Sequence, residues 1–442
     1  MISDEVAFAA MESRDPRFDG WFFVAVTTTG VYCRPSCPAV MPKPENVRLF
    51  PSAAAAKVNG FRACKRCRPD AAPGSPEWNV RTDLAARAMR LIADGVVDRE
   101  GVAGLAVRLG YSERQVHRQL VAEVGAGPQA LAMAQRAQTA RMLLESSTLP
   151  ISDVAFAAGF ASIRQFNDSF RQAYATTPSR LRESAAPMAG GTVLRLAFRP
   201  PMDVPAMLRF LGERAVRGIE EYREGAYSRS LALPRGAGVV TVRHVPGADH
   251  VVCELRLDDL RDLAAAVQRC RRLLDLDADQ QAIDAFLGAD PELEPLVAAR
   301  PGLRVPGCVD PAELAVRAVV GGREAARLVQ RYGRPLATPY GTITHTFPDM
   351  VTLAGRKAGS APAELVRALA DGTVTMDVGA DPREVRKRLL DLPGIGEGTV
   401  ASLMMRALRD PDVLLPHLEG RVRDTWRPWR SYATQHLWTD PL

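Results

Sequence analysis

The sequence has no run of about 18 uninterrupted apolar residues, which excludes a membrane-spanning α-helix. Its first residues, MISDEVAFAAMESRDPRFDG, carry acids where a secretory signal carries basic residues, so a cytoplasmic protein is expected. Aromatic residues are sparse at 6%, yet 47% hydrophobic and 24% charged residues make an ordinary globular composition and exclude a disordered or fibrous chain. Cysteine is scarce as well, seven in 442 residues, far too few for a disulfide scaffold. In a reducing compartment, cysteines that come in pairs bind metal or do chemistry.

The net charge of +6 favours a polyanionic partner, and its distribution says more than its size. Between Cys33 and Cys67 lie Arg34, Lys43, Arg48, Lys57, Arg62, Lys65 and Arg66 against the single acid Glu45. This is either a merely solvated face or a surface for a nucleic-acid backbone, with Arg34, Arg62, Lys65 and Arg66 as the candidate DNA contacts.

Two stretches punctuate the chain: PDAAPGSPEWN at 69–79 and SAAPMAGG at 184–191. Between them apolar residues recur at helical spacing. From Thr192 to about Leu257 the alternating segments TVLRLAF, YSRSLAL and GVVTVRHV read as strands, interrupted by the helical pattern VPAMLRFLGERAV. From Asp258 onward the patterns are mostly helical again. The expected class is a multidomain α+β protein of four modules: a small zinc-binding module at 1–78, an all-α double helix-turn-helix at 79–184, an α+β module at 192–307, and a helical helix-hairpin-helix module at 308–442.

Cys33 and Cys37 form a C-x3-C pair, and Cys64 and Cys67 form a C-x2-C pair after a gap of 26 residues. Each pair can aim two thiolates at one point, and four thiolates complete the tetrahedral sphere of a structural Zn2+ site. Cys253, Cys270 and Cys308 are scattered singly and read as small core residues. The segments RDPRFDGWFFVAVTTTGVYCRPSCPAV and NVRLFPSAAAAKVNGFRACKRCRPD resemble the amino-terminal domain of the Ada adaptive-response proteins over residues 11–70. The resemblance implies that Cys33, Cys37, Cys64 and Cys67 hold zinc and that Cys33 also accepts a methyl group from a DNA methylphosphotriester. Zinc would keep the sulfur deprotonated at neutral pH. Four thiolates on one dication carry two net negative charges, and methylating Cys33 removes one beside the basic surface. Attraction to DNA should then rise, so a repair event becomes a binding switch.

VAGLAVRLGYSERQVHRQL and ISDVAFAAGFASIRQFNDSFRQAY each place a Gly-aromatic turn, Gly110-Tyr111 and Gly159-Phe160, between two short amphipathic helices. Each second helix opens on a candidate capping box, Ser112 to Gln115 and Ser162 to Gln165. With the closing pattern Thr177-Pro178-Ser179-Arg180-Leu181-Arg182, this part resembles the DNA-binding domain of AraC-type regulators over residues 83–183. Val116, Leu120, Phe166 and Phe170 should be core, and Arg114, His117, Arg118, Arg164 and Asn167 should face the major groove, where each could hold a phosphate as well as read a base.

Leu392-Pro393-Gly394-Ile395-Gly396 reads as a helix-hairpin-helix turn whose glycines, Gly394 and Gly396, let backbone N–H groups approach a DNA phosphate; a plain helix cap and turn is the alternative. Together with DDLRDLAAAVQRCRRLLDLDAD, THTFP and WRPWRSYATQHLW, residues 192–442 resemble AlkA-type 3-methyladenine DNA glycosylases. That resemblance implies a flipped base in an aromatic pocket and an Asp that stabilises the departing base. Trp426, Trp429, Tyr432 and Trp438 are either pocket or core.

The Asp, counted from the hairpin, falls on Leu418. Glu419 is the candidate substitute, although one residue on a helix turns a side chain by about 100 degrees. The helix-length segment expected between Gly420 and Trp426 is missing, and the family's Gln-Gln-Val/Ile-Ser stretch is absent around Val320-Gly321-Gly322-Arg323. A Pro-Cys-His-Arg methyltransferase motif, known from other Ada proteins, does not occur either.

The expectation is therefore a zinc-bearing sensor of DNA alkylation and transcription regulator, a single-turnover methyl acceptor fused to a glycosylase-like region impaired in catalysis. Its partners would be alkylated DNA, promoter DNA and RNA polymerase. Two other functions stay open: a working glycosylase with a promoter-binding head, and a zinc-stabilised DNA-binding protein without chemistry.

Overall fold

The computed structural model describes residues 7–8, 11, 22–35, 37, 39–64, 67, 69, 84–183, 192–355, 363–418, 420, 423–427 and 429–439. The chain divides into two compact units, Met1–Gly190 and Gly191–Leu442. No described helix is long and apolar enough to cross a membrane.

The first unit opens on a four-stranded sheet in the order β3-β1-β2-β4, built from β1 (Phe23–Val26), β2 (Val31–Cys33), β3 (Val47–Phe50) and β4 (Arg62–Ala63). Valine and aromatic side chains suit these short pleated segments, and Phe23 meets Tyr32 edge-on with ring centres 5.9 Å apart. β1 and β3 run antiparallel, as do β1 and β2, but β4 lies parallel to β2, with Tyr32 beside Ala63. Parallel neighbours end at the same edge of a sheet. Cys33, closing β2, and Cys64, just past β4, therefore leave it side by side. The Cys64 amide donates to the Tyr32 carbonyl at 2.9 Å. The crossover from β3 to β4 is the short helix α1 (Ala53–Val58).

The other helices described in this unit are α2 (Leu84–Ala93), α3 (Val96–Leu109, broken at Gly101), α4 (Glu113–Val124), α5 (Pro128–Ser146), α6 (Ile151–Ala157), α7 (Ile163–Tyr174) and α8 (Pro178–Glu183). Both expected helix-turn-helix pairs are present, α3 with α4 and α6 with α7. Ser112 and Gln115 form the full reciprocal capping box of α4. At α7 the box is only half formed: Ser162 accepts from the Gln165 amide at 3.1 Å, while the Gln165 carbonyl oxygen takes the Ala161 amide instead. Val116, Leu120, Phe166 and Phe170 are fully buried, as the helical periodicity requires.

The second unit begins with a five-stranded antiparallel sheet in the order β5-β9-β8-β7-β6: β5 (Thr192–Ala197), β6 (Glu220–Arg223), β7 (Ala226–Ala232), β8 (Ala237–Arg243) and β9 (His250–Leu257). α9 (Val204–Glu213) follows β5. Then come α10 (Leu263–Leu273), α11 (Gln280–Leu287), α12 (Glu294–Ala299), α13 (Pro311–Tyr332), α14 (Met350–Ala354), α15 (Ala363–Ala370), α16 (Pro382–Leu390), α17 (Glu397–Arg406) and α18 (Arg430–Thr439). Within the region expected to be mostly helical lies a hairpin of β10 (Pro335–Tyr340) and β11 (Ile343–His345). Pro335 and Pro339 cannot donate to a ladder, and the register shifts within the pair, so no clean alternation marks it.

A buried ion network ties the sheet to α13. Arg229, on β7, donates to both Glu313 oxygens at 2.8 and 3.0 Å and to Glu220 at 3.0 Å. Arg317 bridges the same two carboxylates, and the Tyr227 hydroxyl donates to Glu220 at 2.7 Å. Burial opposes the charge on Glu220, but Arg229 and Arg317 outweigh it and hold its pKa below the usual range. Glu313→Gln should lower the stability of this unit by about 3–5 kcal/mol, because it strands part of a buried charge. Urea unfolding followed by tryptophan fluorescence measures it, and a loss under about 1 kcal/mol, the scale of an exposed ion pair, would contradict the role given to the network.

Candidate thiolate centre and DNA-facing surfaces

Cys33, Cys37, Cys64 and Cys67 converge, with their four sulfurs all within 4.8 Å of one another. A tetrahedral zinc with bonds of about 2.3 Å needs sulfurs about 3.8 Å apart, so the cluster fits that ion with small adjustment. Cys37 reaches the centre through a tight turn in which its amide donates to the Arg34 carbonyl at 3.1 Å. The Arg34 amide points at the Cys67 sulfur at 3.5 Å. As thiols the groups diverge sharply: the Cys33 pKa is held far above its ordinary range, chiefly by its hydrogen bond to Cys37, with Cys67 and burial adding to this. Cys37, hydrogen-bonded to Cys33, is pulled down to about 2. A cage of four sulfurs suits a borderline-soft divalent cation such as zinc.

Of the basic residues beside the cage, Arg34 donates through both Nε, at 2.7 Å, and Nη2 to the Cys67 carbonyl, so it braces the second cysteine pair. Arg62 is exposed, with one contact to the Thr29 carbonyl at 3.3 Å. Lys65 and Arg66 lie outside the described residues. In the helical part Arg114, His117, Arg118 and Arg164 are exposed and Asn167 is half-buried. The His117 ring also lies against Gly127, so it is less free than its neighbours.

In the second unit the hairpin turn joins α16 to α17. Gly394 has a φ of 82°, a backbone open mainly to glycine, and Gly396 caps α17; both are exposed, while Ile395 anchors the turn in the core. α13 kinks at Gly321, where Gly321 to Arg323 are exposed while Val320 is half-buried against the core.

The four carboxy-terminal aromatics separate. Trp426 is buried and donates its indole N–H to Asp290 at 2.7 Å, Tyr432 is buried and donates to Asp275 at 2.7 Å, and Trp429 packs edge-on against Tyr432. These three are scaffold. Trp438, 42% exposed, instead lines a cleft of about 480 Å³ between α9 and α18, edge-on to Phe210. The Arg214 guanidinium sits 3.9 Å from the centre of the Phe210 ring. Phe210 gave no signal in the sequence beyond its place in a helical pattern.

Leu418 does not line this cleft: it is 6% exposed and belongs to the core that holds Trp426 and Tyr432. The carboxylates that do line it are Asp203, which caps α9, and Glu213, 3.4 Å from Arg214. Glu419 lies outside the described residues. Cys253, Cys270 and Cys308 are buried, and burial pushes the Cys308 thiol up to about 12, which fits core residues rather than acceptors.

Three family models match the chain: the metal binding domain of Ada over residues 7–70, a helix-turn-helix domain over 105–184, and the AlkA N-terminal domain over 193–310. A Mycobacterium tuberculosis protein named "Probable bifunctional transcriptional activator/DNA repair enzyme AlkA" is 52% identical over 477 aligned positions, covering 98% of this chain and 96% of its own. That alignment is longer than the 442 residues of this chain, so the relative carries residues with no counterpart here. DNA-3-methyladenine glycosylase 2 of Escherichia coli is 32% identical across 55% of this chain and 95% of its own. The Escherichia coli bifunctional transcriptional activator/DNA repair enzyme Ada is 35% identical across 35% of this chain and 43% of its own. Zinc is the cofactor that the Ada-type domain and the four-cysteine cluster support. The chain belongs to the family of bifunctional transcriptional activator/DNA repair proteins that join Ada-type sensing modules to an AlkA-type region.

Proposed function

We propose that Cys33, Cys37, Cys64 and Cys67 hold one zinc ion, that Cys33 accepts a methyl group from DNA methylphosphotriesters, and that the methylated protein binds its promoters more tightly. The convergence of four sulfurs within 4.8 Å carries the proposal. Bound zinc would keep the thiolates deprotonated at neutral pH. The Cys33 sulfur attacks the methyl carbon, the carbon–oxygen bond breaks, and its electron pair stays on oxygen, leaving a phosphodiester and a thioether. Cys33 is only 8% exposed and Cys37 and Cys64 are more open, so exposure alone would favour those two; the domain pattern supports Cys33.

Arg62, Arg114, His117, Arg118, Arg164 and Asn167 contact promoter DNA in this account, and Gly394 and Gly396 offer backbone N–H groups to a phosphate. Arg34 serves through its grip on Cys67 and touches DNA only secondarily, while Lys65 and Arg66 keep the place the sequence suggests on the basic surface. Four modules, at 1–78, 79–184, 192–307 and 308–442, divide these tasks. RNA polymerase is the further partner, as befits an activator, and the cytoplasm the site of action.

The AlkA-type region holds DNA but does not excise alkylated bases at a useful rate. Leu418, packed in the core where the resemblance places an Asp, supports this. Losing such a charge stabiliser costs on the order of 100–1,000-fold. The cleft of Phe210 and Trp438 favours the second possibility, an active glycosylase relying on Glu419.

Two experiments test these assignments. Elemental analysis should find one zinc per wild-type chain and none in Cys64→Ala, and a folded, fully loaded variant would defeat the ligand set. Single-turnover assays on duplex DNA containing 3-methyladenine should show release near the uncatalysed rate in wild type and Glu419→Gln alike. Robust wild-type release that vanishes in Glu419→Gln would establish the active glycosylase instead. Leu418→Asp, which drives a carboxylate into the core, should destabilise the unit rather than restore activity.

A further inference from the structure

Both DNA-reading helices end on α1 of the cysteine module. Ser52, the α1 cap, is 7% exposed; its Oγ accepts the Ala55 amide at 3.0 Å and donates to the carbonyl of Val124, the last residue of α4, at 2.7 Å. Gly125, which follows, has a φ of 69° and runs so close that a Cβ there would stand 2.8 Å from the Ala55 Cβ. Two residues after Ala55, Lys57 places its Nζ 5.5 Å from the ring centre of Tyr174, the last residue of α7. β4 also packs against α7. Arg114, His117, Arg118 and Arg164, nearer the amino-terminal ends of these helices, remain exposed.

We infer that α1 is the coupling element between the acceptor site and the reading helices, with Ser52 as a positioning residue. The inference rests on the proposed role of Cys33. α1 leads directly into β4 and Cys64, and β4 is paired with the strand that ends in Cys33. Beside the direct effect of the lost charge on attraction to DNA, a change in charge and size at the Cys33 sulfur therefore acts on β4, and through α1 on the ends of α4 and α7, because dense packing transmits displacement rather than absorbing it. The amino-terminal ends of such helices read the base edges, so a small reorientation there changes affinity.

The experiment uses the full chain and a duplex selected from random sequence by the methylated protein. Its dissociation constant is measured before and after treatment with methylphosphotriester DNA, and methyl uptake is followed by intact mass. Asn tolerates a left-handed backbone, so Gly125→Asn wedges the contact without breaking the turn. Gly110→Asn, at a φ of 76° with open space around the added Cβ, is the control. Gly125→Asn and Ser52→Ala should take up the methyl group like wild type yet lose at least about fivefold of the methylation-dependent gain in affinity, the low end of typical coupling between sites. Gly110→Asn should keep the gain. Full gain in both contact variants, or equal loss in all three, overturns the coupling alone. Absence of methyl uptake by the wild type overturns the role of Cys33 and the coupling with it.

Discussion

The parallel pairing of β2 with β4 is the constraint on which the amino-terminal unit depends. Two strands far apart in sequence end at one edge, and only for that reason do Cys33 and Cys64 meet. The crossover that makes the pairing parallel is α1, which is also what rests against α4 and α7. Bringing four thiol groups this close is unfavourable while they are thiolates alone, and a dication offsets that repulsion. The four cysteines and the helix that rests against α4 and α7 thus share one short stretch of chain, residues 33–67.

In the second unit the scaffold and the chemistry have separate supports. The Arg229–Glu313 network, the Trp426 and Tyr432 hydrogen bonds and the hairpin turn preserve the architecture. Leu418, where the resemblance to AlkA-type glycosylases leads one to expect an Asp, lies in the hydrophobic core. A buried Leu stabilises by about 1.5–3 kcal/mol relative to an exposed one, whereas a buried carboxylate costs stability unless it is paired.

Much of this was legible in the sequence because the relevant signals are local. The cysteine spacing, the two Gly-aromatic turns with Ser112 and Ser162, and the Leu392–Gly396 turn each occupy only a few residues, and each appears where expected. What sequence could not convey was decided by long-range contacts. The bond from Arg34 to the Cys67 carbonyl spans 33 residues of sequence and left no trace in the local pattern. The β10–β11 hairpin was hidden by its prolines. Phe210 meets Trp438 only because α9 packs near α18. The rest of α1 against α4 depends on the Ser52 to Val124 bond, which joins residues 72 apart in sequence.

The proposed switch turns on Cys33. Its most direct test is incubation of the zinc-loaded full chain with methylphosphotriester DNA, followed by peptide mapping of the protein by mass spectrometry. One methyl group on the peptide containing Cys33, absent from a Cys33→Ser variant, is the predicted result. A methyl group on Cys37 or Cys64, or no transfer to a protein that binds zinc fully, would contradict it.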